Sequence, residues 1–144
     1  ARVVRLFGFD PKVAFVSHST FGQPLTNRTK HIKKAVEILR DKNVDFEFDG
    51  DMQPDVALDK EYQSLYPFSK IVGNANILIM PGQHSAAISY KMMKSLGDSK
   101  VIGPLLIGLG LPIEIAPLRS STSEIINLAS IAAYSADVID YKKN

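Results

Sequence analysis

Short apolar runs alternate with longer stretches of helical spacing along the 144 residues. Val13-Ala14-Phe15-Val16 is a compact run with strand character, and it ends in polar Ser17-His18-Ser19-Thr20. From Thr26 to Lys42 the spacing turns helical, with Ile32, Ala35, Val36, Ile38 and Leu39 on one face and Lys and Arg opposite. Val44 to Phe48 reads as a second strand, alternating with acidic positions. Ile77 to Met80 reads as a third; its continuous apolar character is that of a strand covered on both faces. Pro81-Gly82 breaks it, and helical spacing resumes from Ser85 to Leu96. Val101-Ile102 opens another apolar stretch, interrupted by Gly103-Pro104 and Gly108-Leu109-Gly110, and Pro112 to Ala116 is the last predicted strand. A helix capped by Ser121 or Thr122 follows, with Glu124 in its first turn. Lys60 to Gly73 holds two Tyr, a Pro and no clear period, which predicts a long loop with a turn of helix.

Strands alternating with helices predict an α/β fold of three layers, a mostly parallel sheet flanked by helices with right-handed crossovers. At about 150 residues per domain, residues 1–144 make one domain. Composition is ordinary, 45% hydrophobic and 22% charged, and the length suffices for a core without staples. The absence of Cys excludes disulfides, thiolate zinc sites and cysteine nucleophiles. A net charge of +2 is too weak to argue for nucleic acid. No apolar run approaches the roughly 20 residues of a membrane span and no signal pattern opens the chain, so a cytoplasmic location is expected. Ala1 stands where a start codon would place Met, which suggests a piece of a longer chain.

In open α/β sheets ligands collect where strands end and helices begin. Four segments qualify. Ser17 to Gly22 offers Ser17, Ser19 and Thr20 hydroxyls and backbone amides suited to phosphate, or to plain helix capping; no P-loop or dinucleotide glycine pattern occurs. Asp49-Gly50-Asp51-Met52-Gln53-Pro54-Asp55 hints at a divalent metal, but the calcium-loop spacing fails and turn or cap chemistry accounts for Asp49-Gly50 and Asp55. His84 and Ser85 follow the third strand without a nucleophile elbow, and the 3 histidines show no zinc spacing. Arg119, Ser120 and Ser121, with Glu124, have the composition of an anion site at a helix start; a Ser/Thr cap with a solvated Arg explains them equally.

Taken in order, these pieces resemble the phosphate acetyl/butyryl transferase family, most of all the phosphotransacetylase-like domain fused to the carboxyl terminus of bacterial NADP-dependent malic enzymes. The matching stretches are Lys12 to Thr20, Asp45 to Leu58, Asn74 to Pro81, Ala87 to Lys91, Ile102 to Leu109 and Glu124 to Ala129, nearly the whole chain. The Asp-Gly-x-Met-Gln-x-Asp-x-Ala piece from Asp49 is the most specific, and Ala1 to Asp10 and Tyr66 to Ser69 favour the malic-enzyme variety.

The departures from the family pattern fall in its chemistry. The resemblance puts Pro117 and Leu118 where active transferases carry Ser-Arg, and Glu124 where they carry Asp; His84 and Ala87 stand at two positions favouring Asn. Without that guanidinium a planar, always-charged anion holder is missing, although Arg119 lies one residue on. The resemblance therefore implies a regulatory, oligomerising module that senses acetyl-CoA, with no catalytic residues of its own and a homo-oligomer of acyl-CoA-binding chains. Acyl-CoA contacts are expected from Ser17, Ser19, Thr20, His84, Ser85, Arg119, Ser120, Ser121 and Glu124. NADP and a divalent metal would belong to the rest of the full-length enzyme. The alternative is an active transferase moving an acyl group between CoA and phosphate, and a third reading is a ligand-free dimerisation domain using Ala129, Ala132, Ala133 and Ala136.

Overall fold

Strand β1 (Lys12–Val16) lies at the centre of a three-stranded sheet between β2 (Glu47–Met52) and β3 (Ile77–Ile79), and both pairings are parallel. This is the α/β class the sequence pattern predicts. The computed structural model describes residues 1–98 and 100–138. By contacts the chain forms two compact units, Ala1–Lys91 and Met92–Asn144.

In the first unit, a short helix α1 (Arg2–Leu6) precedes β1, and α2 (Asn27–Asp41) packs on β2. Thr26 caps α2 reciprocally with Thr29: the Thr29 amide donates to Thr26 Oγ1 at 3.3 Å, and the Thr26 amide donates to Thr29 Oγ1 at 2.9 Å. Pro54 and Asp55 open α3 (Pro54–Leu58), which packs on β1, and the Asp59 side chain caps α4 (Lys60–Ser64). The core is Ala14, Met52, Val56, Ala57, Ile71 and Ala75, with Phe21, Tyr66 and Leu78 packed against it. Asn76 fixes the entry of β1: its Oδ1 accepts from the Lys12 amide at 2.8 Å and its Nδ2 donates to the Asp10 carbonyl at 2.7 Å.

Strand β2 departs most from expectation. It starts at Glu47, not Val44, and runs through Asp49-Gly50-Asp51, which the sequence suggests as a turn. A ladder to β1 continues there because the acidic side chains are buried with partners. Asp49 accepts from Arg40 Nη2 at 3.1 Å, from its neighbour's Gly50 amide at 3.0 Å and from the Lys70 amide at 2.9 Å. Phe15 pairs with Gly50 and Val16 with Met52, so Asp51 is bulged out of the register, and a bulge re-aims a side chain. Gly50 sits at φ +147°, and a Cβ there would lie 2.6 Å from the Phe15 carbonyl oxygen. Asp55, by contrast, acts as predicted, accepting from the Val56 amide in the first turn of α3.

Helix α5 (Gln83–Leu96) begins two positions before the predicted Ser85, and α6 (Thr122–Val138) is capped by Ser121, whose Oγ accepts from the Glu124 amide at 3.2 Å. One strand expectation fails. The predicted strand from Pro112 to Ala116 has no strand to pair with among the described residues, and the apolar stretch from Val101 forms none either. Strand structure requires a partner ladder as well as an apolar alternation, and Ile113 and Ile115 stay exposed. Strand β3 is at the sheet edge with Ile79 exposed, so it is not covered on both faces. Lys60 to Gly73 does contain its turn of helix, α4, but the rest is anchored by buried Gln63 and Ile71. Among the described residues no helix is long and apolar enough to cross a membrane.

Gly50→Ala is expected to destabilise the protein by about 3 kcal/mol or more, seen as a lower urea midpoint, because the backbone of β1 must move to admit the methyl group. Asp49→Asn should cost about 2 kcal/mol and Arg40→Gln less than half of that. The asymmetry follows because Asp49 is buried whereas the Arg40 side chain is 44% exposed and its charge is screened.

Candidate functional site

The polar loop after β1 folds inward. Ser17, Ser19 and Thr20 are all buried. Ser19 Oγ donates to Asp51 Oδ2 in a short hydrogen bond, and Ser17 Oγ lies 3.5 Å from Ser19 Oγ. Thr20 Oγ1 accepts from the Gln53 amide at 3.2 Å, and Gln53 Nε2 donates to the His18 carbonyl at 3.0 Å. The amides are engaged as well: Ser17 N–H donates to Met52 O, Ser19 N–H to Ser17 Oγ, Thr20 N–H to Gln23 O and Phe21 N–H to Asp51 O. These hydroxyls do not cap α2 either, since Thr26 does so. The loop is thus a clasp between the carboxyl ends of β1 and β2, and the groups it turns to solvent are those of His18, Gly22 and Gln23.

His84 and Ser85 stand in the first turn of α5, His84 exposed and Ser85 Oγ donating to the Gly82 carbonyl at 2.8 Å. No nucleophile–base pair is formed there. Ser85 acts as a local helix-start tie.

In the second unit the residues before α6 converge on Glu124. Its Oε2 accepts from the Ser121 amide at 2.7 Å and from Ser121 Oγ at 3.0 Å, while its Oε1 accepts from Lys94 Nζ at 2.6 Å. Hydrogen bonding to Lys94, then to the Ser121 amide and hydroxyl, pulls the Glu124 carboxyl down to about 2. The carboxylate is therefore an anion at neutral pH, fully engaged in a capping box and an ion pair. Ser120 Oγ is buried without a hydrogen-bond partner among the described residues and faces a small void with Asn127 and Leu128. Arg119 is exposed, with no described partner for its guanidinium. Leu118 is fully exposed and presents an apolar side chain to solvent.

The structure therefore brings together Ser17, Ser19 and Thr20 around Asp51 and Gln53, and Ser121 and Lys94 around Glu124, with Ser120 lining the void beside it. The sequence points to Asp51 only as a candidate metal ligand or turn residue and not as the partner of Ser19, and it singles out neither Arg40, Lys70 nor Lys94. Their partners are distant along it, as with the 32 residues separating Ser19 from Asp51, and no local period signals such a bond. The one available cue was a pair of acids flanking a glycine directly after an alternating run. Among the described residues, no group of three or more His, Asp or Glu could hold a metal ion.

The chain is similar to known proteins in sequence and in fold. A family model for Phosphate acetyl/butaryl transferase matches residues 1–133. The NADP-dependent malic enzyme of Rhizobium meliloti is 47% identical over 136 residues, which is 94% of this chain and 18% of that protein. The phosphate acetyltransferase of Clostridium acetobutylicum is 35% identical, over 92% of this chain and 40% of that one. A phosphotransacetylase crystal structure from Streptococcus pyogenes superimposes with a TM-score of 0.87 at 35% identity, covering 95% of this chain and 42% of that one. The chain thus spans less than half the length of each. With the parallel sheet, the family match and the structural likeness in agreement, the chain belongs to the phosphate acetyl/butyryl transferase family.

Proposed function

We propose that this chain is the phosphotransacetylase-like domain of an NADP-dependent malic enzyme, and that it binds acyl-CoA as a regulatory and oligomerising module without transferring the acyl group. The observation that carries this reading is the state of Glu124. A transferase would need a free acid and a guanidinium beside the start of α6. Here Glu124 is occupied by Lys94 and Ser121, and Leu118 is apolar. The 47% identity to the Rhizobium meliloti malic enzyme supports the same context. Oxidative decarboxylation of malate to pyruvate, with its NADP and divalent metal, would then belong to other parts of the full-length protein. Regulation works by linkage: a ligand that binds one conformation of the whole enzyme better than another shifts activity at the distant site. Acetyl-CoA phosphates would meet Arg119 and the start of α6.

A second reading, an active phosphate acyltransferase, is favoured by one feature. Arg119 is exposed with no described partner, so its guanidinium is available to hold an acyl phosphate while a CoA thiolate attacks the acyl carbon. Displacement of phosphate would complete that transfer.

Calorimetry on the full-length protein should detect acetyl-CoA binding, and malic-enzyme turnover should shift with acetyl-CoA at the same concentrations. A coupled assay should show no acetyl-CoA made from acetyl phosphate and CoA; turnover in that assay, abolished by Arg119→Ala, would establish the second reading instead.

Glu124 also makes a pH prediction. A carboxyl held at about 2 in the folded chain against an ordinary 4.5 contributes stability above 4.5 and loses it as pH falls toward 2. Glu124→Gln should flatten that part of the stability–pH curve in thermal melts from pH 5 to pH 2 by roughly one carboxyl's share. An unchanged slope would remove the ion pair from the account.

A further inference from the structure

A second pocket lies entirely within the first unit, between α2, the end of β2 and the loop after α4, and it takes no part in the acyl-CoA reading. Its volume is about 170 Å³. By the ~30 Å³ that a water molecule occupies in the liquid, it has room for a small phosphorylated metabolite. Lys33 and Arg40 enter from α2 and Lys70 from the loop, while Phe21 and Phe68 form an aromatic wall. Asp49 and Asp51 lie at the floor and Glu37 at the rim.

The charges are not equally committed. Asp49 is satisfied by three donors, of which Arg40 supplies one through a single Nη2, leaving its remaining N–H groups for another acceptor. Position 70 serves the fold through its backbone amide, so the Lys70 ammonium has no structural duty. Lys33 and Lys70 have no ion pair with any described residue, although Glu37 lines the same pocket one turn from Lys33. The lining balances three cations against Glu37, Asp49 and Asp51. The two aspartates are buried and spent on Arg40, Ser19 and backbone amides, so the exposed Lys33 and Lys70 ammonium groups carry the charge that faces an incoming anion.

The aromatic wall points the same way. Phe21 and Phe68 meet edge to face at 4.8 Å, Tyr66 supports both, and Phe68 remains 63% exposed. Phe21 holds a positive φ of 49°, unusual for a bulky residue, and its amide bond to the Asp51 carbonyl at 2.6 Å keeps it there. From these features we infer that the pocket between α2 and β2 binds a phosphate monoester carrying a planar or apolar group. Lys33, Lys70 and the free edge of Arg40 would hold the phosphate, and Phe21 and Phe68 would take the organic part.

Phenyl phosphate is the probe, titrated into the full-length protein by calorimetry, with inorganic phosphate and benzyl alcohol as separate arms. Phenyl phosphate should bind more tightly than either, and more weakly as salt rises. Lys33→Gln with Lys70→Gln should weaken it by about tenfold or more, since two charge-assisted contacts are lost. Phe68→Ala should weaken it by about threefold while leaving inorganic phosphate unaffected. Lys60→Gln, exposed on α4 and not in the pocket, should leave phenyl phosphate binding unchanged. All three sites are exposed, and an unchanged melting temperature confirms that each variant is folded. The inference is overturned if phenyl phosphate does not bind, if the double lysine variant binds it as the parent does, or if Lys60→Gln alone abolishes binding.

Discussion

Two buried carboxylates on one strand, with a glycine between them, hold the first unit together. Burying a charge costs several kcal/mol unless donors surround it. Asp49 meets that cost with the Arg40 guanidinium and two backbone amides, which tie α2 and the loop after α4 to β2. Asp51, bulged out of the ladder, takes the Ser19 hydroxyl, while its carbonyl takes the Phe21 amide. Gly50 lets β2 approach β1 so closely that no side chain fits between Asp49 and Asp51. Remove that approach and the acids lose their donors.

The same arrangement decides how the loop after β1 can be used. The Ser19 and Thr20 hydroxyls are turned inward to Asp51 and the Gln53 amide, so the loop ties the ends of β1 and β2 together. The ring of Phe21, half-buried against the core, lines the pocket between α2 and β2. In the second unit the logic repeats in smaller form. Glu124 closes a capping box and an ion pair, which secures the start of α6. In both places a polar group is held by structural bonds.

Much of the architecture was legible in the sequence because it rests on local periodicity. The helix after Thr26, the strand at Val13 to Val16 and the capping box at Ser121 and Glu124 each follow from residues within a few positions of one another. The failures have a single cause. The segment Pro112 to Ala116 has a strand's alternation without a partner, and Asp49-Gly50-Asp51 has a turn's composition within a paired strand. Pairing is a property of two segments, and neither segment alone announces it.

By itself, then, the sequence determined the α/β class, the sites of most helices and the family, since all of these reside in residue identity and short spacing. Only the tertiary structure decided which polar groups remain available. Ser19 is consumed and Lys70 is left over because Asp51 and the Lys70 amide find their partners across the fold. Hydrogen-bond satisfaction in a buried site depends on three-dimensional neighbours, and chain order does not encode those neighbours in any local signal.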